Sequence, residues 1–138
     1  MDITSLFRRA AASADELAMV AEFVRATNAG DLKPLASLFA ADAQVNDQLR
    51  NFWGRAEIVS WLDREIIGEK IELNALAIKR HYGVVILTAE LRGDFETPRV
   101  PQPLIFDLQF TVQASRIVRL LILLVRTDTP EPEIRRII

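Results

Sequence analysis

The side chains that most often carry catalysis or hold metal ions are scarce in this sequence. It contains one histidine, His81, and no cysteine, which argues against a metal site and excludes thiolate chemistry. No Ser-His-Asp arrangement, phosphate-binding loop or dinucleotide fingerprint is visible. His81 lies in a predicted turn, where we expect it to be exposed and without a catalytic or metal-binding role. We therefore expect no metal and no cofactor, which leaves cofactor-free chemistry or simple binding.

The composition is that of a globular protein without an electrostatic specialisation. Of the 138 residues, 50% are hydrophobic and 26% are charged, and the formal net charge is -2. This balance gives no reason to expect a nucleic-acid partner. The longest apolar stretch, residues 117–125, is interrupted by Arg119 and is too short to span a bilayer. The first residues lack the pattern of a secretory signal, so we expect a cytoplasmic protein with no membrane partner.

The first half of the sequence has the periodicity of helices. A first helix is predicted from a capping box at residues 13–16 to about residue 28, and Gly30 fits its C-terminal stop. Asp31 is predicted to cap a short second helix. The remaining predicted elements of this half are a brief strand at residues 42–47 and a third helix at residues 55–67.

The second half changes to the pattern of strands. Its four runs are rich in Val, Ile, Leu, Phe and Thr and are joined by short turns, so neighbouring strands must be antiparallel. The last run is apolar on both faces, as a central strand would be. Helices followed by such a meander predict an α+β fold with the helices on one face of the sheet. The four runs are residues 70–80, 83–92, 103–113 and 116–126.

The predicted helices can cover only one face of this sheet. In residues 104–112 the even positions are apolar, whereas Ile105, Asp107, Gln109 and Thr111 point the other way. The uncovered face needs a partner, which predicts a homodimer packed sheet to sheet. We expect a single domain over residues 1–138, with residues 1–12 and 127–138 as flanking segments.

Three segments of the sequence carry a family resemblance. They are Phe-Val-Arg-Ala-Thr-Asn-Ala-Gly-Asp at residues 23–31, Leu-Phe-Ala-Ala-Asp-Ala at residues 38–43 and Gly-Arg-Ala-Glu-Ile at residues 54–58. Together they resemble the SnoaL-like polyketide cyclases, ketosteroid isomerase and the wider nuclear-transport-factor-two-like superfamily. The resemblance covers roughly residues 14–126. It implies a cone-like, curved antiparallel (mixed) sheet wrapped around the N-terminal helices and open into an apolar cavity.

The same resemblance implies two catalytic residues. Asp47 ends a segment that is similar to the one carrying the general base of ketosteroid isomerase, and Asp107 aligns with the aspartic acid of its oxyanion hole. An aspartate at an apolar cavity can move a proton next to a carbonyl, while a buried protonated carboxyl can donate to the enolate. This division of roles is the one that the resemblance to ketosteroid isomerase implies. Where that enzyme has its catalytic tyrosine, this sequence has Phe23.

Structural interpretations stand beside these functional ones. Asp47 could be a solvated or turn-forming residue, and Asp107 could be exposed or paired with Arg92 or Arg116. Four aromatic residues are candidates for the pocket lining, with a place in the core as the alternative. These four are Phe23, Phe52, Trp53 and Trp61.

Three hypotheses for function follow. The first is a homodimeric protein with a pocket for a small apolar ligand, on which Asp47 and Asp107 carry out isomerisation, cyclisation or dehydration by proton transfer. The second is a binding or interaction module with the same cavity and no turnover. The third is an assembly domain that uses the sheet face alone, with its own side chains filling the cavity.

Overall fold

The structure, a computed structural model, describes residues 14–95 and 103–125 and has an α+β architecture. Among these residues, none of the helices combines the length and apolar character that crossing a bilayer requires. The helices are α1 (Ala14–Ala29), α2 (Leu32–Ser37) and α3 (Gly54–Trp61), and α3 continues as a π-helix (Leu62–Ile67). The strands are β1 (Phe39–Asp47), β2 (Arg50–Trp53), β3 (Glu72–His81), β4 (Val84–Arg92), β5 (Leu104–Gln113) and β6 (Arg116–Val125).

The strands form one mixed sheet in the order β2-β1-β6-β5-β4-β3. All neighbours are antiparallel except β1 and β6, which pair in parallel. Strand β6 lies inside the sheet, which confirms the prediction from its two apolar faces. Register irregularities occur within β1, β3 and β5. Such bulges bend strands, which is how a sheet curves around helices.

The core lies between the helices and the inner face of the sheet. Alternate residues of β4 and β5 are buried, as the period of two predicts. Phe23 of α1 meets Phe39 and Phe110 edge to face, with ring centroids 6.4 and 5.2 Å apart. This packing fixes α1 across the sheet and leaves the opposite end of the inner face for the site described below.

The outer face of the sheet carries the residues of β4, β5 and β6 that alternate with the buried ones. Asp107 of β5 is opposite Leu123, and Gln109 is opposite Leu121. Leu123 is 37% exposed, although it is a large apolar side chain. We call the apolar residues of this face the outer-face strip, which consists of Ile86, Ile105, Leu121, Leu123 and Val125.

The observed elements agree with most sequence predictions and correct several. Gly30 ends α1 with a left-handed φ of 66°, as predicted, but Asp31 makes no side-chain hydrogen bond at the start of α2. The third helix is not α-helical throughout, and β2 was not predicted. Ser13 of the capping box and the flanking segments 1–12 and 127–138 lie outside the described residues.

Candidate functional site

Asp47 is placed at the end of β1 by a tight hairpin. The strand alternation that buries Ala43 and Val45 also turns Asp47 inward, where it is 7% exposed. Gln48 and Leu49 follow with φ of 53° and 75°, as a type I′ turn requires. Neither is a glycine, so the turn stores backbone strain of a kind that clusters at functional sites.

Three donors hold the Asp47 carboxylate. Trp61 Nε1 and Arg50 Nη2 donate to Asp47 Oδ2 at 3.0 and 2.8 Å. Gln48 Nε2 donates to Oδ1 at 3.2 Å. Both oxygens of this buried carboxylate are therefore engaged, which is what a buried charge needs.

Arg50 connects Asp47 to Glu65 of the π-helix. Its guanidinium forms a bidentate pair with Glu65, with Nη1 to Oε2 at 2.9 Å and Nη2 to Oε1 at 2.6 Å. These hydrogen bonds raise the pKa of Arg50 above its ordinary value, with the charge of Asp47 contributing. The guanidinium is consequently shared by two carboxylates and stays protonated.

The π-helix positions the acidic side of the site. Its widened turn is visible in i to i−5 hydrogen bonds, from Gly68 N to Asp63 O at 2.9 Å and from Ile71 N to Ile66 O at 3.0 Å. A Cβ at Gly68 would clash with the carbonyl oxygen of Arg64, so this tight path requires glycine. π-Helical turns are rare and are frequent at functional sites.

Glu69 follows Gly68 at the end of the π-helix, and its side chain lines a cavity next to Asp47 and Arg50. No hydrogen bond or ion pair of its side chain occurs within residues 14–95 and 103–125. Burial raises the pKa of Glu69, and the negative charges of Glu65 and Asp47 raise it further, against the lowering effect of Arg50. Its backbone is anchored, because Asp94 N donates to Glu69 O at 2.6 Å.

These residues form one wall of a cavity of about 230 Å³. The wall holds three carboxylates and one guanidinium, a formal charge of -2, and the other walls are apolar. Within the described residues, no group of His, Cys, Asp or Glu is arranged to hold a metal ion. The polar lining is Asp47, Gln48, Arg50, Glu65 and Glu69, and the apolar lining is Ile66, Ile71, Leu91, Phe95, Leu104, Phe106 and Ile122.

The structure does not bring Asp107 to Asp47, which corrects the expected catalytic pair. Phe106 faces inward and lines the cavity, so the next residue along the strand must face outward. On the outer face Asp107 Oδ1 accepts a hydrogen bond from Thr88 Oγ1 at 2.6 Å. The expected pairing of Asp107 with Arg92 or Arg116 is not observed either.

The four aromatic candidates are likewise absent from the cavity lining. Phe23 is in the core, and Trp53 is 60% exposed. Trp61 is fully buried and stacks on Phe52, with ring centroids 5.8 Å apart. Trp61 acts on the site indirectly, through its hydrogen bond to Asp47. The predicted aromatic lining is thus replaced by the aliphatic residues and two phenylalanines named above.

The order of the helices and strands defines the class of fold. The chain has an α+β fold similar to that of solved structures described as NTF2-like, polyketide cyclase and ketosteroid isomerase proteins. No protein-family model and no curated protein matches the sequence.

The solved structures similar to this chain are less than 25% identical to it, so they establish its fold and nothing about its activity. A candidate polyketide cyclase from Sinorhizobium meliloti is 24% identical with a TM-score of 0.69, over 77% of this chain and 94% of that chain. The Δ5-3-ketosteroid isomerase from Mycobacterium sp. is 16% identical with a TM-score of 0.65, over 80% and 93%. An NTF2-like protein of unknown function from Mesorhizobium loti is 11% identical with a TM-score of 0.68, over 81% and 92%.

Proposed function

We propose that this chain binds a small, mostly apolar carbonyl compound in the cavity and moves a proton on it, as an isomerase, cyclase or dehydratase does. The observation that carries the proposal is the apolar cavity with carboxylates confined to one wall. Ligand sites commonly combine a mostly apolar lining with a few convergent polar groups. The formal charge of the wall disfavours carboxylate ligands, and the otherwise apolar lining favours a neutral compound over a cationic one.

The chemistry follows from a carboxylate beside an apolar ligand. The carboxylate takes a proton from the carbon next to the carbonyl, and the C–H electron pair forms the enolate as the carbonyl π electrons move to oxygen. Where a C=C bond is conjugated with the enolate, returning the proton to the far carbon of that bond shifts the double bond and gives the isomer. Gln48 and Arg50 are the donors on this wall that an enolate oxygen can approach. The names of two structural neighbours, a ketosteroid isomerase and a candidate polyketide cyclase, agree with this proposal.

Filling the cavity with a larger side chain should weaken ligand binding. We expect Leu104→Trp to weaken binding of prodan, a neutral fluorescent naphthyl ketone, by about tenfold or more, because the indole occupies space that the ligand needs. The dissociation constant is measured by titrating the protein into prodan and following its fluorescence.

The matched control is Tyr82→Trp, which introduces the same side chain at a turn position that is 93% exposed. This variant should bind prodan as the wild-type chain does. Equal affinities for the Leu104 and Tyr82 variants would contradict ligand binding in this cavity.

Binding without turnover is the second candidate function. It is favoured by the Asp47 carboxylate, because all three of its hydrogen bonds come from the protein itself. A carboxylate held in this way serves as a structural anchor more readily than as a base. The two candidates differ in the rate of proton transfer, which the experiment of the next section measures.

We further propose that the outer-face strip pairs two copies of the chain. The strip lies on the face of β4, β5 and β6 that the helices leave uncovered, and its apolar residues alternate with Asp107 and Gln109 of β5. The isologous pairing of such a face is the common way to bury it.

A charge in the strip should separate the two copies. We expect Leu123→Glu to raise the dimer dissociation constant about 30-fold or more, because its carboxylate would be buried opposite that of Asp107. Sedimentation velocity over a concentration series measures this change. Leu49→Glu, at a turn position that is 84% exposed, is the control and should leave the assembly unchanged. A wild-type chain that sediments as a monomer throughout the series would rule the dimer out.

A further inference from the structure

We infer that Glu69, and not Asp47, is the carboxylate that accepts the proton in this cavity, and that Asp47 is a positioning residue. The inference rests on the proposed function and assigns the group that performs it. It departs from what the family resemblance implies, in which the residue at the end of β1 is the base.

The contacts of Asp47 suit a fixed anchor. Its Oδ2 accepts from both Trp61 and Arg50, and its Oδ1 accepts from Gln48. Protonation of Asp47 would remove the negative charge that pairs with Arg50. If Asp47 were the base, this loss of the ion pair would add to the free-energy barrier in every turnover. Asp47 also ties β1 to β2 and α3, so its contacts hold the wall in place.

The position of Glu69 suits a base. Its side chain lines the cavity, and within the described residues it has no hydrogen-bond or ion-pair partner that protonation would disrupt. The charged groups that act on it are Glu65 of the π-helix, Asp47 of β1 and Arg50 of β2. The side chain of its chain neighbour Lys70 is exposed and points toward Asp94, with Nζ 3.8 Å from Asp94 Oδ2.

The balance of these charges favours proton exchange at Glu69. Arg50 is engaged by Asp47 and Glu65, which leaves Glu69 as a third carboxylate without a cation in direct contact. Burial and the two neighbouring carboxylates raise the pKa of Glu69, which strengthens it as a base and as the acid that returns the proton. Two carboxylates with different environments can therefore take different roles, one as anchor and one as proton carrier.

The assignment can be tested without knowledge of the natural substrate by using 5-nitrobenzisoxazole, a small neutral aromatic compound. The Glu69 carboxylate takes the proton from C3, the C–H electron pair completes the nitrile triple bond, and the N–O bond breaks to release the phenolate. The protonated Glu69 then returns its proton to water. The coloured phenolate reports the rate directly.

We expect Glu69→Gln to lower kcat/KM for this reaction about 100-fold or more, the usual contribution of a general base. Prodan affinity should be retained, because the amide keeps the shape of the side chain. Asp47→Asn should lower kcat/KM less than about tenfold, since the amide oxygen can still accept from Trp61 and Arg50. Glu72→Gln, a matched exchange at an exposed position outside this cavity, should have no effect.

The pH dependence of kcat/KM gives a second test. Its midpoint would not depend on the charges around Glu69 if Glu69 had only a structural role. In the wild-type chain, kcat/KM should rise with pH through a midpoint above the ordinary pKa of a glutamate, because the base must be ionised. Glu65→Gln removes a negative charge that raises the pKa of Glu69, so its midpoint should move to lower pH.

The outcomes separate this inference from the proposed function. A Glu69→Gln chain with the wild-type rate, together with an inactive Asp47→Asn chain, would overturn the inference and leave the proposed function intact. A wild-type chain that binds prodan but leaves 5-nitrobenzisoxazole at its rate in buffer would overturn the inference and favour binding without turnover. A wild-type chain that does not bind prodan would overturn the proposed function itself.

Discussion

We expect Trp61→Ala to lower the free energy of unfolding by about 3–5 kcal/mol, the range for removing a fully buried large aromatic side chain. Trp61 is 0% exposed and stacks on Phe52. Its Nε1 is also one of the donors to the buried carboxylate of Asp47. The loss therefore combines a cavity in the core with a weakened anchor. Chemical denaturation at a fixed protein concentration measures it.

Two further variants separate the causes of this loss. Trp61→Phe keeps most of the apolar ring and removes the donor, so it should cost about 1.5–3 kcal/mol, the range for hydrogen bonds to charged groups. Trp53→Ala is the matched control, because Trp53 is 60% exposed. We expect it to cost less than about 1 kcal/mol. Equal losses at the two tryptophans would contradict the packing described for Trp61.

Phe23→Ala should also lower the free energy of unfolding by about 3–5 kcal/mol, and it should leave prodan binding unchanged. Phe23 is 1% exposed and packs edge to face on Phe39 and Phe110. Because it does not line the cavity, its loss affects the core and not the ligand. Denaturation and the prodan titration are made on the same preparation.

The control for this variant is Arg25→Ala on the same helix. Among residues 14–95 and 103–125, Arg25 pairs only with Glu22, and such an exposed pair contributes at most about 1 kcal/mol. A Phe23→Ala chain that keeps its stability and loses prodan binding would restore Phe23 to the pocket, as the sequence interpretation has it.

The fold could largely be predicted from the sequence because its elements leave strong local patterns. The strands of the second half agree with the predicted runs to within two residues at each end, and the apolar β6 is central. Strand β2 was missed because four residues after a tight turn carry too little periodicity. The π-helix was missed because Leu62 and Ile66 also fit an α-helical face, and nothing in one sequence marks the widened turn.

The site was harder to predict than the fold because it depends on register. Asp107 was placed beside Asp47 by its alignment with ketosteroid isomerase, and an alignment error of one residue in a strand reverses the face. Phe106, its neighbour, is the residue that reaches the cavity. Glu65 and Glu69 resemble ordinary surface residues at a helix end. Only the fold brings them beside Arg50, so their role is set by tertiary contacts that a single sequence does not record.

The central claim is that a neutral ligand binds between the acidic wall and the apolar residues of the inner face. The most direct test is a two-dimensional amide NMR titration of the wild-type chain with prodan. We predict that the shifted amides cluster at Asp47, Glu69, Leu104 and Phe106. Shifts confined to the outer-face strip, with those four amides unmoved, would contradict the claim.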